Sequence, residues 1–266
     1  MVQGTERPRG PGGPPLSAKD ISLTFAKGMS VLKAFDATQT HLTLPQVARA
    51  TGLDRATARR LVLTLVHLGY IKAQDRVFSL TPRILVLAGG FLQGRQFGKT
   101  IEPVMRSFSH RISSAISMAM IDGHEAVYVA HAAARESAVS IGFTVGSRVP
   151  LLSSAIGRAL LSVCASADAE ELIARAPLER HTAATILDRQ SILEDVALTA
   201  RRGYACVEGE FEPGICAIAV PLRANGGEAS AIGVSGDAEH YADPAVRQRA
   251  VSILRECASV MAELVK

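Results

Sequence analysis

From Ser22 onward the apolar positions recur at helical spacing. Phe25, Met29, Leu32 and Phe35 form one stripe and predict a first amphipathic helix. Asp36–His41 is polar and reads as a loop. Two further helices are punctuated at both ends. Thr43-Leu44-Pro45-Gln46 has the form of a capping box with proline near the first helical position. That helix runs through Val47 and Ala50 to Gly52, a residue suited to a left-handed helix end. Asp54 caps the next helix, Arg55 to about His67. Ala58, Leu61, Val62, Leu65 and Leu68 share its apolar face. A short helix, a break at Thr51-Gly52-Leu53 and a longer helix make a helix-turn-helix. Two short strand-like pieces come next. Tyr70–Ala73 and Val77–Leu80 flank a polar Gln74-Asp75-Arg76 turn and predict a β-hairpin wing. Residues 82–95 read as helix again through Ile84, Leu85, Leu87 and Leu92, with Gly89-Gly90 as a weak point.

The rest of the chain mixes both periods. A helix over 100–115 leads into a strand at Ile116–Asp122, a turn at Asp122-Gly123-His124-Glu125, and a strand at Ala126–Ala132. Another strand is expected at Ala138–Thr144. Helices are predicted over 154–164, 168–176 and 189–202. Strands follow at Tyr204–Val207 and Cys216–Arg223, and Asn225-Gly226 makes a hairpin turn into Ala229–Ser235. A helix over about 244–265 closes the chain. The pattern predicts an α+β fold around an antiparallel or mixed sheet. The domains divide as a disordered Gly/Pro-rich tail (1–20), a winged helix-turn-helix (21–82), a linker helix (83–99) and a larger C-terminal domain (100–266).

Composition narrows the class. The 266 residues are 48% hydrophobic and 20% charged, an ordinary globular balance. No apolar run reaches the ~20 residues of a membrane span, and the N-terminus has no apolar signal segment. Four cysteines without CxxC or zinc spacing argue against a disulfide scaffold or structural metal and for a cytoplasmic protein. The net charge of +4 is uneven: residues 1–95 carry 13 Lys+Arg against 5 Asp+Glu, and the remainder carries 16 against 20. A basic N-terminal third suits a nucleic-acid-binding module, or else a solvated face.

Within that third, the helix from Arg55 has the composition of a DNA-reading element. The N-terminal residues of such a helix enter the major groove. Arg55, Ala56, Thr57, Arg59 and Arg60 occupy its first turns and outer face. Arginine can make paired hydrogen bonds to guanine. Lys72 and Arg76 on the wing, with Thr43 and Arg49 before the reading helix, are candidates for phosphate contacts. The same punctuation also occurs in plain helical hairpins with solvated arginines.

TLPQVARATGLDRATARRLVLTLVHLGY, followed by FSLTPRILVLAGGFL, closely resembles the N-terminal domain of the IclR family of bacterial transcriptional regulators. GHEAVYVAHA, VGSRVPLLSSAIGRALLSV, RRGYACVEGEFEPGICAIAVPLR and GGEASAIGVSGDA resemble that family's effector domain, in order, over about residues 21–262. TFAKGMSVLKAF and LDRATARR look most like the subgroup regulating protocatechuate, 4-hydroxybenzoate and the β-ketoadipate pathway. The resemblance implies a winged helix-turn-helix on a palindromic double-stranded DNA operator. It implies a homodimer built through the wing domain and linker helix, and a homotetramer through the effector domains. It implies a GAF/PAS-like C-terminal domain with a central, mainly antiparallel sheet that binds a small organic acid. The ligand would alter DNA affinity, assembly or recruitment of RNA polymerase. No cofactor or membrane is called for.

The segment Pro150–Arg158 carries its own signal for the effector. Ser153 or Ser154 can cap a helix, and Gly157 in the first turn either admits a ligand to the backbone or allows close packing. Free N–H groups of Ala155, Ile156 and Gly157 suit a carboxylate. By resemblance, small-oxoacid binders of the family use backbone groups at Ala155 and Gly157. They add an acidic group near Val207/Glu208, a cysteine at the position of Ala217 and an S-x-S in the last strand. Here the cysteine is Cys216, one position away, and the last strand reads Gly233-Val234-Ser235. That incomplete polar ring favours a larger acid, aromatic or a ring-cleavage product, over glyoxylate or pyruvate. Arg158 could pair with its carboxylate, and Glu208 and Glu210 could bond its hydroxyls. Arg148 reads as a surface residue. An enzyme finds little support: there is no GxSxG, HExxH or GxGxxG, and Gly98-Lys99-Thr100 lacks the upstream glycine of a phosphate loop. A DNA-binding protein whose C-terminal domain only oligomerises is the remaining alternative.

Overall fold

The computed structural model describes residues 18–36, 38–95, 97–133, 143–222 and 228–264. Residues 1–17 of the expected tail (1–20), most of the expected strand at Ala138–Thr144 and the Asn225-Gly226 turn lie outside these residues; Ala18–Asp20, assigned to the tail, form a 3-10 helical turn. The chain divides into two compact units between Phe91 and Leu92.

The N-terminal unit comprises α1 (Leu23–Lys33), β1 (Leu42–Thr43), α2 (Leu44–Thr51), α3 (Arg55–His67), β2 (Ile71–Gln74), β3 (Val77–Leu80) and α4 (Arg83–Gly94). Ser22 caps α1, Asp54 Oδ1 accepts the Thr57 N–H at 2.9 Å to cap α3, and Gly52 ends α2 at φ 66°. Gln46 Oε1 accepts from both the backbone N–H and the hydroxyl of Thr43, at 2.8 and 2.7 Å. Val31, Phe35, Leu42, Val47, Val62, Leu65, Ile71 and Phe78 form the core. Four details differ from expectation. Phe25 and Met29 are exposed, because the core is sealed by the C-terminal half of α1 through Val31 and Leu32, and by Phe35 just beyond it. Leu68 is exposed at the end of α3. The two-residue β1 adds a third strand, in the order β1-β3-β2, all antiparallel. Gln74 pairs with Val77, so Asp75 and Arg76 alone make the turn, at φ 49° and 67°. Positive φ at both central residues is the two-residue hairpin geometry that matches strand twist. Helix α4 runs unbroken through Gly89-Gly90.

The C-terminal unit starts at Leu92 with the last residues of α4, and a π-helical turn, Phe97–Ile101, follows and takes in Gly98-Lys99-Thr100. There follow α5 (Glu102–Ile112), β4 (Ile116–Asp122), β5 (Glu125–Ala132), β6 (Arg148–Pro150), α6 (Ala155–Leu161), α7 (Ser166–Arg175), α8 (Arg189–Arg202), β7 (Ala205–Glu208), β8 (Ile215–Leu222), β9 (Ser230–Asp237), α9 (Ala238–Ala242) and α10 (Pro244–Leu264). The six strands form one sheet, order β6-β5-β4-β9-β8-β7, antiparallel throughout. Alternation along the strands builds two cores. Met118, Met120, Val220 and Ile232 pack with α5 and α10 through Met105, Phe108, Leu254 and Met261. The other face offers small residues, Ala119, Ala126, Ala205, Ala219 and Ala231, to α6 and α8 through Ile156, Leu160, Ile192 and Val196. Small side chains let α6 lie close on the sheet, and this close approach shapes the cavity described next.

Candidate functional site

The N-terminal unit presents a cationic outer surface. Arg49, Arg55, Ala56, Arg59, Arg60, Lys72 and Arg76 are exposed, while Thr43 and Thr57 are half-buried. The six cations make no ion pair among the described residues. Arg55, Ala56, Arg59 and Arg60 lie on α3, and Arg76 stands at the tip of the β2–β3 hairpin. Thr43 is held by Gln46. The Thr57 backbone N–H, then its hydroxyl, hold the Asp54 carboxyl below its ordinary range. Both threonine hydroxyls are therefore engaged at the helix starts.

In the C-terminal unit a cavity of about 270 Å³ opens between the sheet and the start of α6. Ser153, Ser154, Ala155, Ile156, Glu210, Ala217 and Ser235 line it. Gly157, Arg158, Glu208 and Cys216 do not. Ser154 Oγ accepts the Gly157 N–H at 3.1 Å and donates to Pro150 O at 2.6 Å, so Ser154 is the cap. The Ala155 and Ile156 N–H groups, in the first turn of α6, find no backbone acceptor among the described residues. Ser153 is 3% exposed, and its hydroxyl has no partner among the described residues. A buried hydroxyl without a partner costs ~1–3 kcal/mol.

The residues outside the cavity have other work. A Cβ on Gly157 would lie 2.3 Å from Leu151 O, so this glycine serves close packing and not ligand access. Arg158 is 2% exposed and donates to Glu210 Oε2 at 2.6 Å, Asp195 Oδ2 at 3.0 Å and Leu152 O at 2.9 Å. It is consumed internally. Glu210 Oε2 also accepts from the Ile186 N–H at 3.2 Å, so its carboxylate is largely satisfied before any ligand enters. Glu208 is exposed and faces Arg247 at 3.7 Å. Cys216 turns into the α10-side core. Arg148 bonds Asp122 and Glu125 at the surface, as expected.

Several lining residues escaped the sequence reading. Tyr128 and Phe143 form an aromatic wall, ring centroids 5.1 Å apart. Burial, with Glu212 adding charge repulsion, pushes the Tyr128 phenol up to about 12. Ser117 Oγ lies 2.9 Å from His131 Nδ1, and burial pushes that imidazole down, which favours its neutral form. Their strand alternation was visible, but nothing local tells a residue facing a cavity from one facing a core. The cavity is aromatic and hydroxyl-rich, with unpaired donors at the α6 end and carboxylates at Glu210 and Glu212.

A winged helix-turn-helix joined to a domain with a polar-ended cavity defines a DNA-binding regulator with a sensing domain. Comparison with known proteins gives the family. The C-terminal domain of bacterial IclR transcriptional regulators matches residues 90–262, and the IclR helix-turn-helix domain matches residues 24–75. The chain belongs to the IclR family of transcriptional regulators. It is 30% identical over 236 residues to the Pca regulon regulatory protein of Pseudomonas putida, covering 88% of this chain and 81% of that one. It is 29% identical over 255 residues to the p-hydroxybenzoate hydroxylase transcriptional activator of Acinetobacter baylyi, covering 94% of each. An IclR homolog from Microbacterium hydrocarbonoxydans, solved in complex with 4-hydroxybenzoate, superposes with a TM-score of 0.75 at 26% identity, covering 90% of this chain and 98% of that one.

Proposed function

We propose that this regulator binds an operator through α3 and the β2–β3 wing, and that an aromatic acid in the C-terminal cavity controls it. The observation that carries the sensing half is the unpartnered Ser153 hydroxyl beside the free N–H groups of Ala155 and Ile156. Together they present donors to one carboxylate, while Tyr128 and Phe143 offer an aromatic surface. The relatives named for Pca and p-hydroxybenzoate regulation, and the homolog holding 4-hydroxybenzoate, support this ligand class. Exposed Leu23 and Phe25 on α1, with Leu85, Val86 and Leu87 on α4, support self-association through the N-terminal unit.

The test is thermal shift with 4-hydroxybenzoate, protocatechuate, β-ketoadipate, pyruvate and glyoxylate. A ligand at 100 times its dissociation constant stabilises by about 2.7 kcal/mol. An aromatic acid is expected to stabilise the protein, and Ser153→Ala to weaken it roughly tenfold or more by removing a hydrogen bond to a charged group. Response to pyruvate or glyoxylate alone would overturn the ligand class. For the DNA half, Arg59→Ala should lower operator affinity in a band-shift titration and leave ligand binding intact. Unchanged operator affinity would remove Arg59 from the interface.

A further inference from the structure

Away from the cavity, two thiols meet across neighbouring strands. Cys206 on β7 and Cys216 on β8 place their Sγ atoms 3.8 Å apart. Their neighbours Val207 and Ala217 face the cavity, whereas the two cysteines pack into the core beneath α10. Strand β7 is an edge of the sheet, bonded to β8 alone, and Cys206 is half-buried, so small oxidants can reach it. The charged and titratable groups around the pair are Arg202 at the end of α8, Arg247 on α10, Glu208 on β7 and Tyr241 on α9. Arg247 is fixed there by its bond to Tyr241 O at 3.1 Å, and Arg202 by its bond to Tyr204 O at 2.6 Å.

These groups divide the work between the two sulfurs. The hydrogen bond from Cys216, followed by the nearby charges of Arg247 and Arg202, lowers the Cys206 thiol to about 7 against the opposing effect of burial. The same hydrogen bond and burial push Cys216 up, so it keeps its proton. Cys164 and Cys257 are both raised by burial, Cys257 to about 12. Cys206, half-buried where Cys216 is fully buried, is thus the most acidic and the more accessible thiol of the pair, with a second thiol already beside it. A low-pKa accessible thiol next to a resolving thiol is the arrangement of redox-sensing cysteines.

We propose that Cys206 and Cys216 form a peroxide-oxidisable dithiol, with Cys206 as the attacking sulfur and Cys216 as the resolving one. The Cys206 thiolate attacks one peroxide oxygen; an S–O bond forms and the O–O bond breaks. The departing hydroxide, or alkoxide from an organic peroxide, takes a proton and leaves as water or alcohol. Cys216 then attacks the Cys206 sulfenic acid. The S–S bond forms, the S–O bond breaks, and the hydroxide leaves as water with the Cys216 proton. Two thiols lose two electrons and the peroxide gains them. A disulfide needs its sulfurs at ~2.05 Å, so the edge strand must draw in. That movement reaches the cavity wall through Val207 and Ala217 and ties oxidation to ligand affinity.

The test uses the full-length reduced protein and stoichiometric hydrogen peroxide. Peptide mass mapping should find residues 206 and 216 joined, with two fewer alkylatable thiols. Cys216→Ser should instead leave a sulfenic acid at Cys206 that dimedone traps. Cys206→Ser should slow thiol loss roughly tenfold, leaving Cys164, raised by burial, to react more slowly than an ordinary thiol. Peroxide that joins no 206–216 pair in the wild-type protein, or that modifies Cys164 as fast as Cys206, would overturn the proposal. The wild-type map decides the matter even if a variant fails to fold. Dithiothreitol should restore the starting ligand affinity; an unchanged ligand affinity after complete 206–216 bonding would overturn the link to the cavity and leave the dithiol standing.

Discussion

A methyl group added at Gly157 would overlap the Leu151 backbone, 2.3 Å from its carbonyl oxygen and 2.4 Å from its Cα. Backbone cannot swing aside as a side-chain tip can, so Gly157→Ala should cost about 1–3 kcal/mol or more in urea unfolding. The variant reports on folding and is no probe of ligand contact. Tyr128 offers a pH signature. Its phenol titrates near 12 in the folded protein against an ordinary 10, so the native state holds the proton more tightly. The stabilisation is complete below the ordinary value and is lost as pH rises through 10 to 12. Two units correspond to roughly 2–3 kcal/mol. Urea titrations at about pH 9 and pH 11 should show this fall, and Tyr128→Phe should make it shallower, with the raised Cys257 thiol and Tyr241 phenol supplying part of the remainder. A slope unchanged in Tyr128→Phe would assign the titration to another group.

The wing hairpin joins a stability cost to a charge. Arg76 occupies positive φ, a conformation that glycine adopts without strain. Arg76→Gly should raise the unfolding free energy by up to about 1 kcal/mol while weakening operator binding. It should also make the salt dependence of binding shallower by about one unit of slope, as expected for a lost phosphate contact. Elements such as this one were legible because their signals are local. Asp54, Gly52 and the alternation around Asp75-Arg76 each announce an end or a turn within a few residues. The three-residue β6 and two-residue β1 carry too few alternations to announce themselves. At the site the boundary of legibility runs between adjacent residues. Ser153 and Ser154 could be read as helix-start residues, but the fate of Arg158 depended on Asp195 and Glu210, 37 and 52 positions away. Local spacing could not reveal that the arginine was already paired. For Phe25 and Met29 the helical period was read correctly, but period alone cannot say how far along its length a helix is covered.

Over the whole molecule, uncovered apolar surface concentrates in the N-terminal unit. Leu85 and Val86 are 70% and 74% exposed. Replacing both with glutamate should shift the molecular mass by light scattering toward the single chain and reduce operator affinity together. An unchanged mass would place the assembly surface elsewhere. The internal pairing of Arg158 has a different reach. Its charge is cancelled at close range by Asp195 and Glu210, so the donors that the cavity offers an acid under the proposed function are dipoles and hydroxyls, while the proposed operator face holds six cations without an ion pair among the described residues. Dipoles at contact distance are scarcely screened by electrolyte, whereas phosphate binding releases counterions and weakens steeply as ionic strength rises. Ionic strength should therefore separate the two events. A band shift and a ligand titration run side by side from dilute to moderate salt should show the first affinity collapsing and the second nearly flat. In a cell whose internal salt rises, such a protein would let go of its DNA without ceasing to register its ligand.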